Sequence, residues 1–212
     1  MIKTIIFDFD GTLADTLPFT FKKIIEIARR LKLSNQSDQL ILEEIRSKSY
    51  RQLMKEYKLS WLKLPWLLSI TRQMQKELTK VIEKQRLFSG MRSALQELRR
   101  RNIRLGILTS NIKENIDRFL RAKNIMIFDY IHCEKNILGK DRALINLIKK
   151  NSLKKDEVVY VGDEIRDIDA CKKAGVKIIA VTWGFNTKKV LENHQPDYII
   201  NKPREILNIV KS

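Results

Sequence analysis

Two rhythms of apolar residues run along the chain. Ile5-Ile6-Phe7-Asp8-Phe9-Asp10-Gly11-Thr12 is a short apolar run that ends in two aspartates and a Gly-Thr turn. A run of this length, closed by glycine, predicts a buried strand. From about residue 17 to about residue 85 the period becomes helical. Ile24, Ile25, Ala28 and Leu31 recur at that spacing, as do Leu40, Ile41 and Ile45, and then Leu53, Met54 and Tyr57. The polar break Ser34-Asn35-Gln36-Ser37-Asp38 can cap the helix after it. Two further helices are predicted over about Trp61–Ile70 and Ile70–Gln85. Beyond residue 90 strands and helices alternate. Helix 91–101 precedes strand 103–109, helix 113–123 precedes strand 128–132, and helix 140–151 precedes strand 157–161. Helix 167–174 then precedes strand 177–182, and a last strand, Tyr198–Ile200, leads to a C-terminal helix. Alternation of this kind predicts an α/β fold with a doubly wound parallel sheet. Its ligand site belongs at the carboxyl ends of the strands, where Asp8, Asp10, Thr109 and Asp163 all fall.

The chain has 212 residues, enough for one α/β domain and an insertion, and its 43% apolar content supports a core. No apolar run of about 18 residues appears, so no membrane span is predicted. Met1-Ile2-Lys3-Thr4-Ile5 leads straight into the first strand, leaving no room for a signal peptide. Cys133 and Cys171 are too few for a disulfide framework and lie in no metal-type spacing, which fits a reducing cytoplasm. The net charge of +17 admits nucleic acid, an anionic membrane surface or anionic small molecules as partners. Lys and Arg are spread along the chain rather than gathered in a tail, so a solvated basic surface is the simpler reading.

Strand alternation turns Asp8 and Asp10 to the same side. Two such carboxylates repel unless a positive charge lies nearby, and Mg²⁺ takes oxygen ligands of this kind. Three more polar features follow in order. Arg104-Leu-Gly-Ile-Leu-Thr109-Ser110-Asn111 is an apolar strand ending in hydroxyls, and Lys140 follows Gly139 at the start of a helical pattern. Val158-Val159-Tyr160-Val161-Gly162-Asp163 is another strand, with Asp167 four residues beyond it. In this order and spacing the chain resembles, from end to end, the haloacid dehalogenase superfamily, and in particular its phosphoglycolate phosphatase-like members with a small helical cap.

The resemblance implies a Rossmann-like α/β core over residues 1–15 and 89–212 and an all-helical cap over 16–88. Asp15-Thr16-Leu17 and Phe88-Ser89-Gly90 are then the hinge strands. It implies that Asp8 is a nucleophile forming an aspartyl-phosphate, and that Asp10 is a general acid and base whose backbone carbonyl also binds metal. Gly11, Thr109 and the backbone N–H of Ser110 bind the phosphoryl group, with Asn111 as a further helper. The alternative for Ser110 and Asn111 is a helix N-cap. Lys140 offsets charge on the phosphoryl oxygens and on Asp8; its alternative is an exposed lysine at a helix start. Many relatives have proline after this lysine, whereas here Asp141 and Arg142 follow. Asp163 matches the Mg²⁺ ligand. Asp167 matches the outer acidic residue, bonding metal-bound water or orienting Lys140, with Glu164 as a substitute. Asp169 is read as surface and Trp183 and Phe185 as packing. His132 and His194 receive no role.

Specificity resides in the cap, where Ser47-Lys48-Ser49-Tyr50-Arg51 replaces a glycine-rich turn. Lys48 and Arg51 are candidates for gripping a substrate carboxylate or second phosphate, with solvated surface charge as the alternative. The apolar Trp61–Ile70 segment fits the cap interior, a dimer contact or a membrane-surface patch. The expected activity is Mg²⁺-dependent hydrolysis of a small phosphorylated metabolite by a monomer or homodimer. Alternatives are a sugar phosphomutase, a phosphonate hydrolase or a dehalogenase, the last two disfavoured by Asp10. A phosphatase for nucleotides or phosphorylated macromolecules is a further alternative, with bulky substrates disfavoured by the cap. A nucleic-acid or membrane-surface binding protein on the same scaffold is another, motivated by the charge.

Overall fold

A computed structural model describes residues 1–30, 34–57, 64–134 and 139–210, with side chains at all of these except 50–51 and 64–68. Six strands form one parallel sheet: β1 (Thr4–Phe7), β4 (Arg104–Thr109), β5 (Tyr130–Cys133), β6 (Val158–Gly162), β7 (Lys177–Val181) and β8 (Tyr198–Ile200). Their order is β5-β4-β1-β6-β7-β8. Thr4 of β1 lies opposite Arg104 on one side and Val158 on the other. The chain therefore reverses its direction of winding at β1, the position where open α/β sheets hold their ligands.

Alternation along β1 builds both faces of the core. Ile5 and Phe7 enter one buried cluster with Leu105, Ile107, Val159 and Val161. That cluster also takes Leu95 and Leu98 of α5 (Met91–Arg100) and Ile116, Phe119 and Leu120 of α6 (Lys113–Ala122). Ile6 enters the opposite cluster with Tyr160 and Ile178. Leu144, Leu147 and Ile148 of α7 (Lys140–Lys150) and Ile168 and Cys171 of α8 (Ile165–Ala174) cover it there. Both faces of the strands are apolar, as a parallel sheet buried under helices requires.

The segment between β1 and α5 is helical: α1 (Leu17–Arg30), α2 (Asp38–Arg46), α3 (Tyr50–Glu56) and α4 (Leu64–Thr79). Ser37 caps α2 by accepting the Leu40 N–H, and Ser49 and Gln52 form a reciprocal capping box on α3. Where two helices meeting at Ile70 were expected, the described residues form the single helix α4; Trp61–Lys63 lie outside them. Nothing near Ile70 breaks a helix, and Pro65 sits in the first turn, where its missing N–H has no intrahelical partner to lose. The connecting strands are displaced slightly from their expected positions. β2 (Ala14–Asp15) pairs antiparallel with β3 (Arg86–Leu87), and Leu17 already begins α1. The helix α9 (Lys188–Asn193) was not expected, because six residues carry too little apolar periodicity to register.

Three loops meet where β1 and β6 end, and glycines permit the approach. Gly11 has φ +75, a conformation side-chain-bearing residues rarely adopt. A Cβ on Gly11 or Gly184 would lie less than 3.0 Å from Asp163, and one on Gly162 less than 3.0 Å from Asp167. Gly184→Ala is expected to destabilise the protein by about 1–3 kcal/mol through overpacking. Thermal unfolding reads this directly, and an unchanged midpoint would mean that Asp163 moves aside without cost.

Candidate active site

β1 ends at Phe7, so Asp8 and Asp10 lie just past its carboxyl end. Phe7 and Phe9 are both fully buried in the same cluster, which turns the intervening Asp8 away from it. The Asp8 N–H continues the sheet by donating to the Val161 carbonyl at 2.8 Å. Asp8 Oδ1 accepts the Phe9 N–H at 2.8 Å. Its Oδ2 is buried and accepts no hydrogen bond, although Lys140 Nζ lies 2.9 Å away as an ion-pair partner.

Lys140 opens α7 and is 7% exposed. Its ammonium touches Asp167 Oδ1 as well as Asp8, and the Tyr160 ring lies 5.3 Å from it. Burial disfavours its charge, but the Asp167 and Asp8 carboxylates outweigh burial and hold its pKa above the ordinary range. Asp167 Oδ2 accepts the backbone N–H groups of Asp163 at 3.2 Å and Glu164 at 3.0 Å, so Asp167 ties the start of α8 to Lys140. Asp163 is fully buried. Its Oδ1 accepts the Thr12 hydroxyl at 2.6 Å and its Oδ2 the Phe185 N–H at 2.7 Å. Glu164 is partly exposed and pairs with Arg166 at 2.7 Å.

Burial pushes the Asp8 carboxyl up to about 7, against the Lys140 ammonium and with a further push from Asp167. Burial also drives Asp163 well above the carboxylate range, helped by Glu164, Asp8 and Asp167. Burial is the larger cause of both shifts, and neighbouring carboxylates add to it. Carboxylate oxygens of Asp8, Asp163 and Asp167 lie within 4.8 Å of one another. Three clustered carboxylates, two of them sharing one ammonium, with Asp8 Oδ2 lacking a hydrogen bond, fit a hard divalent cation that takes oxygen ligands.

Asp10 stands outside that cluster. Its Oδ1 accepts the Thr16 hydroxyl at 2.9 Å, and Asn111 Nδ2 reaches Oδ1 at 3.2 Å and Oδ2 at 2.9 Å. Burial raises its pKa, opposed by these hydrogen bonds. Asn111 is thus engaged with Asp10, and the residue at the α6 N-cap is Ile112 rather than Ser110 or Asn111. Thr109, at the end of β4, is 1% exposed. Its Oγ1 accepts the Asn111 N–H at 3.0 Å, which leaves the hydroxyl proton available to a ligand oxygen.

Several contributors escaped the sequence reading. Phe185 packs on Phe21 with ring centroids 5.6 Å apart, yet its N–H also holds Asp163. Trp183 packs against the core and donates its indole N–H to the Thr12 carbonyl at 3.2 Å. Arg46, ending α2, donates to the Phe185 carbonyl at 2.9 Å and the Gly184 carbonyl at 3.3 Å. Its own carbonyl accepts from Asn186 Nδ2 at 2.9 Å. The stretch Val181-Thr182-Trp183-Gly184-Phe185 continues the family resemblance and reads as packing, which leaves its backbone donors unnoticed. Lys48 lies between Glu44 (3.1 Å) and Glu56. The Arg51 side chain and the Trp61–Leu68 side chains lie outside those described.

Residues 5–181 match the profile of haloacid dehalogenase-like hydrolases. The phosphoglycolate phosphatase of Synechococcus elongatus is 34% identical over 214 residues, covering 99% of this chain and 97% of that protein. The pyrophosphatase PpaX of Bacillus mycoides is 22% identical, covering 99% and 97%. A haloacid dehalogenase-like family hydrolase from Streptococcus pneumoniae superposes with a TM-score of 0.77 at 25% identity, covering 99% of each chain. Profile, full-length identity and superposition agree with the arrangement of carboxylates at the strand ends: the chain belongs to the haloacid dehalogenase-like hydrolase family.

Proposed function

We propose that this protein is a Mg²⁺-dependent phosphatase that hydrolyses a small phosphomonoester of the phosphoglycolate kind through an aspartyl-phosphate on Asp8. The observation that carries the reading is the pairing of two differently held aspartates at one strand end. Asp8 is buried beside Lys140 with Oδ2 lacking a hydrogen bond, while Asp10 is held apart by Thr16 and Asn111.

A carboxylate oxygen of Asp8 attacks phosphorus, and the bond from phosphorus to the substrate oxygen breaks. Asp10 delivers its proton to that leaving oxygen. Asp10 then takes a proton from water as the water oxygen attacks the aspartyl-phosphate, which releases phosphate and restores both aspartates. The Thr109 hydroxyl and the Ser110 N–H hold phosphoryl oxygens, the backbone at Gly11 lies alongside, and the Lys140 ammonium lowers repulsion between Asp8 and the incoming phosphate. Asp8, Asp163 and the Asp10 backbone carbonyl would hold Mg²⁺, with Asp167 outside them and Glu164 next to it. When bound, Mg²⁺ supplies Lewis-acid polarisation and neutralises charge on the phosphoryl group. Residues 16–88 serve as a cap over the core formed by 1–15 and 89–212, which favours small substrates. Phosphoglycolate is favoured among them because a full-length relative carries that name.

Phosphate release from a panel holding phosphoglycolate, pyrophosphate, sugar phosphates and nucleotides, with and without Mg²⁺, tests the reading. Metal-dependent release with one clear preference is expected. No release from any member despite Mg²⁺ binding would turn the assignment toward a mutase or a binding role. Asp8→Asn, nearly isosteric, is expected to reduce turnover to background while the unfolding midpoint stays within a few degrees; undiminished turnover would remove Asp8 as nucleophile.

Metal binding requires ionised carboxylates. With the metal-free Asp8 raised to about 7 and Asp163 raised well above the carboxylate range, protons must leave these ligands as the metal binds at and below neutral pH. Affinity for Mg²⁺ should therefore strengthen as pH rises through neutrality, by about tenfold per pH unit for each proton released. Calorimetry in buffers of different ionisation heat measures the released proton; a pH-independent affinity would contradict the raised pKa.

A further inference from the structure

The orientation of Asp10 is fixed by a line of amides that begins in the helical insertion. The Asn111 carboxamide has one end that accepts and one that donates. Its Oδ1 already accepts the Ile112 N–H at 2.8 Å and Asn115 Nδ2 at 2.8 Å. The amino end is thereby turned to Asp10, reaching both carboxylate oxygens. Asn115 lies on α6, is fully buried, and donates a second time to the main-chain carbonyl of Gln75 at 3.1 Å. Gln75 belongs to α4, and its side-chain amide donates to the Ser110 carbonyl at 2.6 Å. One residue of the insertion thus grips both the loop after β4, at Ser110, and the first turn of α6, at Asn115.

With two donor bonds from one buried amide, the line tolerates only one orientation of Asn111. Were Asn111 to flip, its oxygen would face the Asp10 carboxylate and repel it. We propose that Asn115 and Gln75 are positioning residues for Asp10, holding Asn111 so that the acid stays aimed at the leaving group; this deepens the phosphatase reading above and rests on it. Neither residue touches the reacting atoms. Their effect is on the delivery of one proton, which matters in proportion to how badly the leaving oxygen needs it.

That proportionality supplies the test. A nitrophenolate leaves without a proton, whereas an alkoxide requires one. kcat/KM, which covers steps through phosphorylation of Asp8, is measured for p-nitrophenyl phosphate and for phosphoglycolate. The proteins compared are the parent, Asp10→Asn, Asn115→Asp and Gln75→Leu. Asp10→Asn is expected to lose on the order of a hundredfold more on phosphoglycolate than on the aryl ester. Asn115→Asp keeps the shape but replaces the donor, and is expected to show a selective loss of about tenfold. Gln75→Leu is expected to show a smaller loss of the same sign. Thermal unfolding checks that each variant folds; should Asn115→Asp not fold, Gln75→Leu, at a half-buried position, decides alone. Equal losses on both esters, or none, in the folded variants overturn the positioning role while Asp10→Asn stays selective. An Asp10→Asn variant without selectivity overturns the acid role together with this inference. A parent enzyme inactive on both esters overturns the phosphatase reading and this inference with it.

Discussion

The contact of Lys140 with Asp8 and Asp167 is the interaction about which the site is organised. A buried ammonium and buried carboxylates are each costly alone, and removing either partner strands the other. Asp167 can accept Lys140 on one oxygen because its second oxygen is occupied by the N–H groups of Asp163 and Glu164 at the start of α8. The start of α8 in turn fixes Asp163, which the Thr12 hydroxyl and the Phe185 N–H complete. Strand order, the glycine contacts and the placement of the β7–α9 loop all serve one end, bringing these charges together without water between them. The chain as a whole carries the opposite sign, a net charge of +17.

Most of the site's acidic residues were legible because strand ends are legible. Asp8, Thr109 and Asp163 each terminate an apolar run and Lys140 opens a helical pattern, so periodicity placed them and their order along the chain, as part of a family resemblance, singled them out. The residues that hold them were not legible, for three physical reasons. A backbone N–H such as that of Phe185 is carried by every residue except proline and leaves no trace in residue type. Arg46 is one of 42 Lys and Arg residues, and only the fold shows that it meets the carbonyls of residues 184 and 185. Asn115 breaks the apolar face of an otherwise regular amphipathic helix. A buried amide in such a face is a signal, but its partners, Gln75 and Asn111, come from different parts of the chain. The helical insertion was less legible still in its boundaries, since periodicity does not say where one helix stops and another begins unless a breaker intervenes.

The contacts of the insertion with the core are polar as well as apolar. Phe185 joins a small cluster with Ala28, Ile41 and Ile45, and the Arg46 guanidinium lies over the Phe21 ring at 5.5 Å. Alongside these, Arg46 and Gln75 reach main-chain carbonyls of two separate core loops. Each of those loops carries a hydrogen-bond donor for a site aspartate: Phe185 for Asp163, and Asn111 for Asp10. The insertion is therefore in touch with the loops that hold both aspartates, although it contributes neither.

The central place of β1 has a consequence for how the chain comes to be folded. Its partners lie far along the sequence, with Thr4 opposite Arg104 on one side and Val158 on the other. β1 is thus synthesised well before either of its partners, and pairings across such separations form slowly. Until then Ile5-Ile6-Phe7 stands open on both edges, the kind of segment that joins strands from other chains. Asp8 and Asp10 sit at the end of this run, and charged residues flanking an apolar segment discourage such joining. The two carboxylates of the candidate site thereby also stand where charges flanking an exposed apolar run oppose its joining to others.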